Sequence, residues 1–199
     1  GLRWLRRPQP ELHEVELAIE RTIAEGRRAS GIVKNVRDFL GKTPPAHEVL
    51  APAVLVDDAL RLLQHELQRE QVQVQVDQVA ALPDVPGQRI QLQQVLVNLL
   101  LNACQAMSGQ PGVRALHIEL QAIDGHVRID VSDTGPGIAA EHVARLFEPF
   151  FTTKPQGMGM GLPICRTTVE AHGGQLQVRS TPGTGTCFTL LLATAPETA

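Results

Sequence analysis

The chain has 199 residues, 43% of them hydrophobic, with three cysteines and a net charge of −3, enough for one substantial domain plus an accessory element. The slight acidic balance argues against a nucleic-acid partner. The longest apolar run (95–101) is interrupted by Asn98 and falls well short of the ~18 residues of a membrane span, no signal peptide is visible, and the scattered Cys104, Cys165 and Cys187 lack metal spacing, which suits a reducing cytoplasm.

In chain order, residues 1–7 read as the tail of a helix, and Pro8 and Pro10 in "RPQPE" make a turn. Over 11–40, apolar residues from Leu12 to Leu40 recur at helical spacing, a stripe suited to packing on another helix. Together they predict an antiparallel helical hairpin lacking most of its first helix. "GKTPPAHE" (41–48) breaks the pattern. Beyond it, the pattern predicts an amphipathic helix over 57–69 and a half-buried strand over 71–79, where "QVQVQVDQV" alternates. A helix follows over 88–107. "LHIEL" and "VRIDVSD" flank Asp124-Gly125, a strong hairpin signal. A short helix over 141–146, a glycine-rich stretch and a helix over 162–172 come next, and "GQLQVRS" and "GTCFTLLL" form a second hairpin across "TPGTG". The order βαβαββααββ predicts a two-layer α/β sandwich, a mixed sheet with helices on one face.

Four segments could carry chemistry. Asn98 and Asn102 lie one turn apart on the same face of an otherwise apolar helix. Asn is a poor helix former, and an unpaired buried amide costs roughly 1–3 kcal/mol. The pair fits either a shared polar ligand, with an amide oxygen suited to Mg²⁺, or a polar seam between helix and sheet. "DTGPGI" (133–138) follows a strand. Asp133 there can accept a hydrogen bond from an exocyclic amine, and Gly135 and Gly137 admit a flat ring, or the segment is an ordinary turn. "GMGMGL" (157–162) precedes a helix whose free N–H groups favour phosphate. It follows no strand, which argues against a Rossmann fingerprint, and "GKT" at 41–43 lacks the upstream glycine of a P-loop. "GTGT" (183–186) is a hairpin turn that could also present a small donor.

The succession "NLLLNA", "DTGPGI", "FEPFFTTK", "GMGMGL" and "GTGT" resembles the N, G1, F, G2 and G3 boxes of the ATP-binding domain of sensor histidine kinases, in the superfamily that includes gyrase, the Hsp90 chaperones and MutL. The resemblance covers about residues 48–192. It implies a Bergerat-type ATP-binding fold with a mobile lid over MgATP. It implies a division into a dimerisation hairpin (1–41, without the acceptor histidine), a linker (42–47), the catalytic domain (48–193) and a tail (194–199). By position, Asn102 resembles the Mg²⁺ ligand and Asn98 faces the phosphates. Asp133 resembles the reader of the adenine amine, with Gly135, Gly137 and Ile138 beside the ring. Gly157, Gly159, Gly161 and Leu162 resemble the lid over the triphosphate. Lys154 offers charge to the phosphates, Phe147, Phe150 and Phe151 anchor the lid, and Thr186 is a further contact.

The ATPase branch of the superfamily carries a Glu one turn before the metal Asn. Here that position is Asn98, and an amide cannot take a proton at neutral pH, which favours phosphoryl transfer by positioning and charge stabilisation over hydrolysis. Among His13, His47, His65, His117, His126, His142 and His172, none fits the family's acceptor pattern, since His13 follows the hairpin turn. The acceptor is expected upstream of Gly1, and this chain is expected to bind ATP without phosphorylating itself. The resemblance further implies transfer to a response-regulator receiver domain, a homodimeric, cytoplasmic protein, and no membrane contact in these residues, any anchor lying upstream. The alternatives are a non-catalytic nucleotide-binding regulatory module and a superfamily serine kinase such as an anti-sigma factor kinase; the helix over 11–40 argues against the latter.

Overall fold

The computed structural model describes His13, Val15 and residues 48–78, 81–154 and 157–195. Apart from His13 and Val15, both helical, the hairpin and linker expected before residue 48 lie outside the described residues. The chain divides into two compact units, Gly1–Pro44 and Pro45–Ala199, and the elements below belong to the second. They are β1 (Glu48–Leu50), α1 (Pro52–Leu62), α2 (Gln64–Arg69), β2 (Gln73–Gln78), β3 (Val85–Gly87), α3 (Arg89–Met107), β4 (Ala115–Ile123), β5 (His126–Asp133), α4 (Ala140–Val143), α5 (Gly161–Ala171), β6 (Gln175–Thr181) and β7 (Gly185–Ala193).

Five strands form one sheet in the order β2-β4-β5-β7-β6. The β2–β4 pair is parallel and the others antiparallel. Period-2 alternation sends Leu116, Ile118 and Leu120 of β4, Val127, Ile129 and Val131 of β5, and Phe188, Leu190 and Leu192 of β7 to one buried face. The opposite face carries His117, Glu119, Arg128, Asp130 and Thr189, and Asp130 accepts a 2.6 Å hydrogen bond from the Thr189 hydroxyl. Only the first face can bury a helix cheaply. Helix α3 lays Leu92, Val95, Leu96, Leu99, Leu100, Ala103, Cys104 and Met107 into the core, and α1 and α5 pack beside it. The predicted two-layer arrangement is therefore observed, and so is the Asp124-Gly125 hairpin, with both residues at positive φ (45° and 74°).

His172 fixes the start of α3. Its Nε2 accepts the Gln88 backbone N–H at 3.1 Å, so its proton sits on Nδ1, which donates to the Thr168 carbonyl at 2.7 Å. The ring thus ties the N-terminus of α3 to the last turn of α5.

Four local expectations are corrected. The helix over 57–69 starts earlier, at Pro52, a residue suited to a first helical turn, and breaks at Leu63 into α1 and α2. Strand β3 carried no strand signal, because "VPG" contains both Pro and Gly; it exists by pairing with β1. Strand β2 is exposed along its whole length, with Val74 at 39% and Val76 at 46%, because it is an edge strand and the core helices stop short of it. The helix over 141–146 shortens to α4, followed by turns.

Leu99 is fully buried at the centre of α3. Leu99→Ala should cost roughly 2–5 kcal/mol in chemical denaturation; a loss below about 1 kcal/mol would show that the helix–sheet interface does not carry the fold.

Candidate functional site

Asp133 is the last residue of β5, paired with Leu116 on one side and Thr186 on the other. Those partners place its side chain on the helix-bearing face, at the end of the sheet, where it is 8% exposed. Its Oδ1 accepts the Gly135 N–H at 2.8 Å. Burial pushes this carboxyl above the usual Asp range, against the opposing pull of the Gly135 and Thr186 backbone N–H groups and the Lys154 charge. A carboxylate with two backbone donors still has accepting capacity.

The loop after Asp133 is tied down by a residue that the sequence analysis did not single out. Ser180 Oγ accepts the Ile138 N–H at 2.8 Å and donates to the Gly185 carbonyl at 2.9 Å. Its single hydrogen is then used, so the 2.9 Å contact with Thr186 Oγ1 has Thr186 as donor. Thr186, expected as a ligand contact, therefore spends its hydroxyl on the scaffold. Gly137 adopts φ +70°, and a Cβ there would lie 2.1 Å from the Thr181 carbonyl oxygen. This glycine is required by the crossing of two protein segments.

The two asparagines separate in role. Asn98 Nδ2 donates to Cys165 Sγ at 3.4 Å, and its amide lies against Gly161, the first residue of α5. It thereby props the N-terminus of α5 beside α3. Burial pushes the Cys165 thiol up to about 12 and the Cys104 thiol up to about 11, so neither is a nucleophile at neutral pH. Asn102 Oδ1, by contrast, receives the Lys154 ammonium at 3.0 Å, and Gln105 Oε1 receives it at 2.8 Å. Gln105 was also missed, although its spacing of three from Asn102 places it on the same helix face. Burial pulls the Lys154 pKa below the usual lysine range, opposed by the Asp133 charge.

The lid expectation is partly revised. Phe147 packs against the core, and Phe151 stacks with Arg145, whose guanidinium carbon is 4.4 Å from the ring centroid. Phe150 does not anchor through its ring, which is 76% exposed; its backbone N–H donates to the Gly159 carbonyl at 3.0 Å while its φ is +68°. Gly159, at φ +66°, leaves a Cβ only 2.4 Å from the Phe150 carbonyl carbon, so it too serves this close backbone contact. Leu162 lies in the first turn of α5, half-buried against the core, and Gly157 donates its N–H to the Lys154 carbonyl at 3.0 Å. An apolar hollow lined by Leu60, Leu67, Val72 and Val74 lies at the β2 edge of the sheet and includes none of these residues.

Residues 87–196 match the family model described as Histidine kinase-, DNA gyrase B-, and HSP90-like ATPase. Sensor histidine kinase TmoS of Ectopseudomonas mendocina is 36% identical over 192 residues, covering 94% of this chain and 20% of TmoS. The curated relatives are longer proteins, of which this chain spans 20% to 38%. Among solved structures, the catalytic domain of histidine kinase ThkA in a nucleotide-free form superposes with a TM-score of 0.68 at 28% identity, covering 77% of this chain and 99% of that one. Full-length ShkA in complex with AMPPNP gives a TM-score of 0.72 at 27% identity, covering 88% of this chain and 39% of that one.

Gly137 and Gly183 both have positive φ, but only at Gly137 would a Cβ meet backbone; at Gly183 the space is open. Gly183→Ala should cost about 1 kcal/mol, and Gly137→Ala distinctly more, roughly 2–4 kcal/mol, in thermal denaturation. Equal losses would mean that the crossing with Thr181 is not a tight contact.

Proposed function

The chain belongs to the histidine kinase-, DNA gyrase B- and HSP90-like ATPase family, and we propose from that premise that residues 48–193 are the MgATP-binding catalytic region of a sensor histidine kinase. The observation that carries the reading is the convergence of three groups. Asp133 is a buried carboxylate with accepting capacity left, Asn102 is an amide oxygen already holding a cation, and Lys154 bonds to Asn102 while its charge reaches Asp133. An adenine amine suits the first, and a metal-bound triphosphate suits the other two.

The residues also fit Mg²⁺. Asn102 Oδ1 is a neutral, hard oxygen that accepts a cation in this structure, and Mg²⁺ uses one or two protein oxygens together with phosphates and water. When bound there, Mg²⁺ would neutralise charge on the β- and γ-phosphates. Asp133 accepts the exocyclic amine and so selects adenine. The N-terminus of α5, positioned by Asn98, offers backbone N–H groups toward phosphate. Asn98 itself can take no proton, so these residues leave water unactivated and the γ-phosphoryl available to an acceptor.

In the intact protein that acceptor is a histidine. Its imidazole nitrogen forms the new N–P bond as the bond from the γ-phosphorus to the bridging oxygen of ADP breaks. The phosphoryl group then passes to an Asp of a response-regulator receiver domain. Homodimerisation through the hairpin and residence in the cytoplasm belong to the same proposal. No helix among the described residues is long and apolar enough to cross a membrane.

Calorimetric titration of ADP with and without Mg²⁺ tests the site. Wild type should bind more tightly with Mg²⁺, and Asn102→Ala should lose that gain. Asp133→Asn should weaken binding by roughly 1.5–3 kcal/mol, the usual range for a hydrogen bond to a charged group. Absence of ADP binding by wild type would sink the assignment. The pH dependence has a definite sign, because the amine needs the ionised carboxylate. Affinity should be full above the raised Asp133 pKa and fall as pH drops through it, at a pH above the usual Asp range. In Asp133→Asn that acid limb should be absent.

A further inference from the structure

We propose that Lys154 is a tethered cation that competes with Mg²⁺ for the seat on Asn102 and Gln105, so that loading the metal with nucleotide requires release of Lys154 from α3. The inference rests on the nucleotide-site reading above and extends it to how the metal is admitted.

The Lys154 ammonium lies 3.0 Å from Asn102 Oδ1 and 2.8 Å from Gln105 Oε1. Among the described residues no carboxylate forms an ion pair with it, although Asp133 is near enough to act on its charge. A place built only to hold a lysine would gain more from a carboxylate partner, because charge-assisted bonds between two ions are the stronger kind. Two neutral amide oxygens instead suit a cation that arrives with its own counter-charge, as Mg²⁺ does with a diphosphate. They also hold an ammonium weakly enough to give it up.

The loop is organised to deliver this lysine. Its backbone N–H donates to Thr152 Oγ1 at 3.1 Å, and its carbonyl accepts the Gly157 N–H at 3.0 Å. The Phe150–Gly159 backbone bond closes the same loop. Lys154 is therefore a clasp between this loop and α3. Because ammonium and metal use the same Asn102 oxygen, they exclude each other, and by linkage the metal must release the clasp as much as the clasp opposes the metal.

Two measurements on the whole chain test this. In calorimetric titrations of ADP at a series of Mg²⁺ concentrations, Lys154→Met should lower the Mg²⁺ concentration at half-effect by roughly fivefold or more. In amide hydrogen exchange without nucleotide, Lys154→Met should speed exchange of the described loop amides at 150–154 and 157–160. Lys154→Arg should keep most of the protection, and unchanged exchange in α3 checks that the variants are folded. An unmoved or raised Mg²⁺ midpoint in Lys154→Met, or unchanged loop exchange, overturns the proposal; a raised midpoint would mark Lys154 as a phosphate ligand only. If wild type binds no ADP, the nucleotide reading fails by itself. If it binds while the midpoint stays put, only the clasp fails.

Discussion

Everything at the site depends on the burial of α3 against the sheet. Eight apolar side chains of this helix are buried, and at roughly 1.5–3 kcal/mol for each fully buried large side chain no polar group on its margin could shift it. The helix is consequently a rigid rail. Asn98, Asn102 and Gln105 ride along its edge at positions set by the packing beneath them. The same packing aligns α5, because the Asn98–Cys165 contact and the His172 bridge clasp it near either end. A row of polar side chains is thereby held in place by a core that is almost wholly apolar.

Against this rail, two charged groups are held partly out of water. The ionised form of Asp133 is penalised by burial, which for a carboxylate means that the folded chain holds its proton more tightly than the unfolded chain does. This group's contribution to stability is accordingly present at low pH and declines as pH rises from the usual Asp value through the raised one. Lys154 is penalised in the opposite sense. Each eases the other without direct contact. Burial of these two charges thus costs the fold some stability.

Much of this was legible in the sequence, for identifiable reasons. Asp124-Gly125 dictates a tight hairpin because both residues tolerate positive φ. The spacing of Asn98 and Asn102 follows from the helical repeat, and the core faces of β4, β5 and β7 follow from alternation. What escaped was set by tertiary partners. Strand β3 needs β1 to exist. The exposure of β2 depends on its being at an edge, which alternation cannot report. Ser180 matters only because the Ile138 loop and the Gly185 turn meet over it. Gln105 could have been found from its spacing but not its cation, which comes from far along the chain. In the sequence the glycines suggest room for a ligand, whereas in the fold Gly137 and Gly159 first make room for backbone.

Phe150 carries one last implication. A bulky residue at φ +68° sits in a region that costs L-residues roughly 1–3 kcal/mol, and its exposed ring recovers little of that by packing. The loop is therefore cocked, like a spring bent against a catch. That strain is offset by the hydrogen bonds that hold the segment, the Phe150–Gly159 bond among them. Loss of any one of those bonds would release part of the strain, so the energy stored in one residue would offset part of the cost of breaking the contact.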